Sequence, residues 1–171
     1  YTADPNIQDA PHSDLRRARA ATANIVPTTT GAAVATGLVI PEIAGKLSAI
    51  AFRVPVITGS LVEVNVMLEK DATAEEVNAV FQKMSKGKMR SVLEYTEDPI
   101  VSSDIIGNKH SSIFDSSLTN VIGGNFLKVV SWYDNEAGYS ARLSDLTVKI
   151  AKLSSAKKKA VAKKTGKPAV A

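Results

Sequence analysis

The chain has 171 residues, 44% hydrophobic and 22% charged, enough for a globular domain with a real core. It contains no cysteine, which excludes disulfides and Cys-ligated metals, and no apolar run of membrane-spanning length. The formal charge of +4 is unevenly spread: residues 151–171 carry seven lysines and no acid, leaving fourteen basic against seventeen acidic residues in the body. Tyr1 is not an initiator Met and shows no signal-peptide pattern, so the chain reads as a fragment or a processed product.

Residues 1–24 are polar, carry Pro5 and Pro11 and show little periodicity, which predicts a long loop turning or becoming helical from Asp14 to Ala23. Val26-Pro27-Thr28-Thr29-Thr30-Gly31-Ala32-Ala33 then leads into small residues and predicts a short helix with open N–H groups at its start. A strand is expected over Ser48 to Val56. Ser60 to Glu69 alternates, with Val62, Val64, Val66 and Leu68 on one face and Glu63, Asn65 and Glu69 on the other, the pattern of an antiparallel strand with one buried side.

Thr73 and Glu76 have capping-box spacing, so a helix is predicted from Thr73 to Ser85, with Val77, Val80, Phe81 and Met84 as its apolar stripe and Gly87 as its stop. Short strands are predicted near Ser91 to Tyr95, Ser111 to Phe114 and Phe126 to Trp132, with turns at Gly107-Asn108 and Gly123-Gly124-Asn125. Tyr139, Leu143, Leu146, Ile150 and Leu153 recur at helical spacing and predict a final helix from Glu136 into the Lys-rich end. The fold class is α+β: a largely antiparallel mixed sheet with helices on one face and a long C-terminal helix. Residues 1–153 form the domain and residues 154–171 a Lys/Ala-rich tail, read from composition as a solvated disordered extension or as a polybasic segment for weak, non-specific polyanion binding.

Several residues suit chemistry. Thr28, Thr29 and Thr30 with Gly31 offer hydroxyls and free N–H groups at a helix start, which serves either a plain N-cap or an anion. Arg53 interrupts an apolar strand, so it needs a carboxylate or phosphate partner, or else its head snorkels to water. His12 and His110 fall in a loop and a turn and read as solvated. Asp134 and Asn135 are both good N-cap residues for the last helix.

The segment Ser-Trp-Tyr-Asp-Asn-Glu-Ala-Gly-Tyr-Ser, residues 131–140, closely resembles a signature of the phosphorylating glyceraldehyde-3-phosphate dehydrogenases. The resemblance extends from Tyr1 to about Leu153 and takes in Tyr1-Thr2-Ala3-Asp4, the Arg16-Arg17-Ala18-Arg19 loop, Ile25 to Ala33 and Arg53-Val54-Pro55. It implies NAD-dependent conversion of glyceraldehyde 3-phosphate, by thiohemiacetal formation, hydride transfer and release of the acyl group to inorganic phosphate. Thr2 and Arg53 would then hold the substrate phosphate and Asp4 would orient that site. Thr30, Gly31 and Arg16, with Arg17 as the second match, would hold inorganic phosphate. Asn135 would hold the nicotinamide amide, with Tyr139 packing nearby. Pro11 leans towards NAD, whereas Ala10 leaves NADP open. The resemblance further implies a cytoplasmic homotetramer, with residues 1–24 at its core. The family's nucleophilic Cys, its basic His and its Gly-rich dinucleotide motif have no counterpart in these 171 residues. The chain alone is therefore expected to be inactive, and a non-enzymatic interaction module is the alternative.

Overall fold

The structure is a computed structural model that describes residues 4–165. The chain forms two compact units, Tyr1–Ile57 and Thr58–Ala171.

In the first unit the N-terminal loop folds back on itself. The amides of Asn6 and Ala10 donate to the carbonyls of Arg17 and Ala18 at 2.9 and 3.0 Å, and Ala21 N–H donates to the Asn6 carbonyl at 2.8 Å. Pro5 and Ala21 are buried by this closure. β1 (Val26–Thr28) and β2 (Ala51–Arg53) make an antiparallel ribbon, with Val26 opposite Arg53 and Thr28 opposite Ala51. The predicted strand over Ser48 to Val56 shrinks to three paired residues. Its partner is itself only three residues long, and Pro27 and Pro55 cannot donate to a ladder. α1 (Ala32–Val39) and a 3-10 turn (Pro41–Ile43) connect the two strands.

The second unit is built on a four-stranded sheet of order β3-β6-β5-β4, with β3 (Ser60–Met67), β4 (Leu93–Thr96), β5 (Ser112–Ile122) and β6 (Phe126–Tyr133). β4 runs parallel to β5 and the other pairs are antiparallel. The β5–β6 hairpin turns through Gly123 and Gly124, both at positive φ, where a side chain would be strained. Gly124 also lets Asp71 approach, since an added Cβ would lie 3.1 Å from its carboxyl carbon.

α2 (Ala74–Lys86) opens with both capping-box bonds: Thr73 Oγ1 accepts from Glu76 N–H at 3.2 Å, and Glu76 Oε2 accepts from Thr73 N–H at 2.9 Å. Phe81 carries this helix onto the sheet by stacking on Phe114, with ring centroids 3.9 Å apart, and Tyr95 stacks on the same ring at 5.9 Å. Leu93, Ile105, Ile113, Leu127 and Val130 complete the core. Val80, expected in the stripe of α2, is 61% exposed. The alternating face of β3 is not covered either: Val62, Val64 and Val66 remain 40–43% exposed. β3 is the edge strand, while α2 packs over β4 and β5 at the opposite side of the sheet.

α3 (Ala137–Thr165) closes the described chain. It continues through most of the segment that composition marks as a tail. Its expected apolar stripe does form a helix, but every residue from Leu143 to Ala156 is exposed.

Candidate functional site

In the first unit the candidate anion site grows from the loop and the β1–α1 junction. Asp14 makes a tight turn: its Oδ1 accepts from the amides of Arg16 and Arg17 at 2.9 and 3.4 Å. The Arg16 amide is the main reason that this carboxyl titrates below the usual range. The turn sends two adjacent arginines to different tasks. Arg17 is largely buried. It pairs with Asp4 Oδ2 at 2.8 Å through Nη1 and donates to Thr29 Oγ1 at 3.2 Å through Nη2. Its Nε lies 3.4 Å from Asp14 Oδ2 without hydrogen-bond alignment. Arg16 is exposed, has no ion pair among the described residues, and lines an open groove with Asp14, Thr28, Thr29 and Ile50.

Beside this groove the chain enters α1. Gly31 is the N-cap, and the Thr30 hydroxyl accepts from Ala32 N–H at 3.2 Å. The first turn contains no acid, so its remaining N–H groups form an uncontested positive end. Gly31 has an ordinary φ of −83°, and a Cβ there would meet nothing within 4 Å. Its lack of a side chain is therefore not required by the fold. Arg53 shares a ribbon face with the buried Val26 and Thr28. It is half-buried and has no ion pair among the described residues. Thr2 lies outside the described residues.

In the second unit, the decapeptide at the end of β6 sorts into residues that the fold uses and residues that it does not. Ser131 Oγ hydrogen-bonds Ser112 Oγ on β5. Trp132 Nε1 donates to the buried Asp115 at 3.0 Å. Asp134, only 4% exposed, caps α3: Oδ1 accepts from Glu136 and Ala137 N–H at 2.8 and 2.9 Å, and Oδ2 accepts from Gly107 N–H at 2.8 Å. The Ala137, Gly107 and Glu136 amides hold its carboxyl below the ordinary carboxylate range, against the opposing effect of burial. Gly138 permits close packing, since a Cβ there would lie 3.0 Å from the His110 carbonyl.

Asn135 and Tyr139 are left over. Both are exposed, neither side chain makes a hydrogen bond among the described residues, and they stand four residues apart at the helix start. The choice between Asp134 and Asn135 as cap thus falls to Asp134, and the free carboxamide of Asn135 retains both its donor and its acceptor for a ligand.

Neither histidine is merely solvated. His12 Nδ1 accepts from Asp14 N–H at 2.9 Å and so shapes the arginine turn. His110 is half-buried, with Nδ1 2.8 Å from Glu94 Oε2 and 3.0 Å from Asn108 Oδ1, and Nε2 3.3 Å from the Arg90 carbonyl. The Asn-x-His turn, closed by His110 N–H to Asn108 Oδ1 at 2.9 Å, was the local signal for this. No group of three or more His, Asp or Glu among the described residues could hold a metal ion. No helix among them is long and apolar enough to cross a membrane.

The family model for the glyceraldehyde 3-phosphate dehydrogenase C-terminal domain matches residues 1–135. The chain belongs to that family. It is similar to glyceraldehyde-3-phosphate dehydrogenase of Thermotoga maritima, with 61% identity over 145 residues, 85% of this chain and 44% of the relative. The enzyme of the same name from Mycobacterium avium is 57% identical over 152 residues, 89% of this chain and 44% of the relative. Glyceraldehyde-3-phosphate dehydrogenase 2 of Streptomyces avermitilis is 56% identical over 148 residues, 86% of this chain and 44% of its own length. The chain thus spans less than half the length of these curated relatives. As a member of the family of the glyceraldehyde 3-phosphate dehydrogenase C-terminal domain, it carries the α+β architecture expected from its sequence.

Proposed function

We propose that the chain supplies the phosphate sites and the nicotinamide clamp of an NAD-dependent, phosphorylating glyceraldehyde-3-phosphate dehydrogenase of glycolysis. The observation that carries this reading is the pairing of an acid-free helix start at Gly31 with Arg16 and Arg53, two arginines that have no carboxylate partner among the described residues. An unpaired guanidinium beside open N–H groups and threonine hydroxyls suits a phosphate dianion. Arg53, with Thr2, would take the phosphate of glyceraldehyde 3-phosphate, and Asp4 would steady that site through Arg17. Arg16, Thr30 and Gly31 would take inorganic phosphate, and Arg17 would brace Thr29 beside them.

NAD, when bound, accepts the hydride. The free Asn135 carboxamide fits the amide of its nicotinamide ring, with Tyr139 alongside. NADP use stays open. The nucleophilic thiolate and its base must come from a partner segment, because these 171 residues contain no cysteine. On this reading the working unit is a cytoplasmic homotetramer. The uncovered valines of β3 and the exposed stripe of α3 supply apolar surface for such an assembly. The lack of cysteine also favours a second reading, a folded module without catalytic activity.

One experiment separates the two. The chain is mixed with the N-terminal half of a relative, and NADH production is followed with glyceraldehyde 3-phosphate and phosphate. Activity that depends on both pieces supports the enzyme reading, and Arg53→Ala should then raise the KM for the aldehyde phosphate. Unchanged kinetics in that variant would remove Arg53 from the substrate site. A folded mixture that makes no NADH would favour the module.

A further inference from the structure

The arginine turn of the first unit begins at a histidine that the dehydrogenase reading leaves without a role. His12 Nδ1 lies 2.9 Å from the Asp14 nitrogen and accepts its N–H. This is the bond of an Asx turn, in which an Asn or Asp oxygen accepts from the amide two residues on, made here by a ring nitrogen. The bond fixes the state of the imidazole. Nδ1 must be bare, so the ring proton sits on Nε2, which has no hydrogen-bond partner among the described residues.

Closure of the loop does not need this bond. The Asn6 and Ala10 amides reach the Arg17 and Ala18 carbonyls, and the Ala21 amide reaches the Asn6 carbonyl. Ala20 N–H donates to Asp9 Oδ1 at 2.7 Å, and Thr22 Oγ1 donates to the Ile7 carbonyl at 3.1 Å. His12 acts on the corner alone. It holds the Asp14 amide, and Asp14 Oδ1 holds the amides of Arg16 and Arg17. From that corner Arg17 leaves for Asp4 and Thr29, and Arg16 leaves for the groove.

We infer that His12 is a positioning residue for the anion groove: its bare Nδ1 sets the turn that presents Arg16 to the anion and keeps Arg17 on Asp4 and Thr29. The inference rests on the proposal that this groove holds phosphate, and it adds a proton-operated control to that site. A proton on Nδ1 would set one N–H against another and break the bond to Asp14. It would also draw the ring to the Asp14 carboxylate. That carboxyl is ionised wherever an imidazole titrates, because the Arg16 amide above all holds it below its usual range. Oδ1 would then be shared between the imidazolium and the two arginine amides. The charged groups at this corner are Asp14, Arg16 and Arg17. Asp9 is taken by Arg19 at 3.5 Å, and no charged side chain of β1, α1 or β2 bonds His12 among the described residues.

The test is an NMR titration of the full chain with sodium sulfate at constant ionic strength, following the amides of residues 29–33. Sulfate stays a dianion across the pH range used, so its own charge does not change. At pH 8, His12→Ala should weaken binding about five- to tenfold, the scale of one lost hydrogen bond, and leave the melting temperature unchanged. His12→Asn restores the acceptor as a true Asx turn and should bind as wild type does. Between pH 8 and pH 5.5 the wild type should lose affinity by a similar factor, whereas His12→Asn should hold it. Charge alone predicts the opposite, because an imidazolium near the groove attracts sulfate. Wild-type affinity that is flat or rises on acidification, equal binding in His12→Ala, or a loss in His12→Asn as large as in His12→Ala would each overturn the inference while leaving the groove in place. No saturable shifts in the wild type at either pH would overturn the phosphate reading of the groove itself, and this inference with it.

Discussion

Asp134 should be the most sensitive single position in the second unit. In Asp134→Ala the α3 cap is lost, at a cost of about 1 kcal/mol. The Gly107 N–H, 2.8 Å from Oδ2 in the wild type, also loses its partner in a buried setting, which costs roughly 1–3 kcal/mol more. The sum is about 2–4 kcal/mol, or a fall of about 1–2 M in the urea midpoint at an m-value near 2 kcal/mol/M. Trp132, the chain's single tryptophan, reports on this unit directly through its fluorescence, because its indole is bonded to the buried Asp115. Acid supplies a second check with Asp134→Asn, which keeps one acceptor oxygen and removes the charge. Because the folded carboxyl is held below its unfolded value, its stabilisation is fully present above the unfolded pKa of about 3.9 and fades as pH falls through the folded value. The stability gap between wild type and Asp134→Asn should stay constant at neutral pH and narrow below about pH 4. A gap that persists to pH 3, or a loss below about 1 kcal/mol in Asp134→Ala, would refute the argument.

Other positions should separate binding from stability. Gly31→Ala should leave the melting temperature unchanged, since its φ is ordinary and the space is open, but it should weaken phosphate-induced amide shifts at residues 30–34 in NMR titrations. Equal shifts in both proteins would place the anion elsewhere. Asn135→Asp should likewise unfold at the wild-type temperature, because Asp134 is the cap. In the reconstituted enzyme it should raise the NAD Michaelis constant by about 5- to 150-fold, the equivalent of about 1–3 kcal/mol. A drop in the thermal midpoint with unaltered cofactor kinetics would return Asn135 to a structural role. Thr73→Ala should cost about 1 kcal/mol by breaking the capping box, measurable by urea denaturation, with no effect on phosphate binding.

Local signals in the sequence carried far. The Thr73/Glu76 spacing located a helix start to the residue, and Gly123-Gly124-Asn125 located the hairpin, because cap and turn chemistry act within four residues. What escaped was set by distant partners. β5 runs on to Ile122, past Ser116 and Ser117 and a register shift between Asp115 and Asn120, where the alternation that announces a strand breaks down. The parallel pairing of β4 with β5 depends on a crossover that no turn motif marks. The burial expected for β3 failed because alternation names a face but not what covers it. At the site, the helix-start pattern and an arginine in an apolar strand singled out Thr30, Gly31 and Arg53, and the family resemblance added Arg16 and Arg17. Which arginine is braced and which is free depended on Asp4 and Thr29, twelve or more residues from Arg17. Asp134 and Asn135 are equally good cap residues on propensity, and it took the amides of Glu136, Ala137 and Gly107, all bonded to Asp134, to distinguish them.

Among the described residues, the bonds that fasten α3 lie near its beginning. Asp134 holds its first turn, and Arg142 donates to the Ser91 carbonyl at 2.8 Å while pairing with Asp145 at 2.9 Å. From Leu143 to Ala156 the helix is exposed, and at about 1.5 Å per residue that stretch measures roughly 20 Å. Mechanically this exposed stretch is a cantilever, clamped at its start. A sideways pull on the far end would be felt as torque at the clamp, and the clamp is adjacent to Asn135.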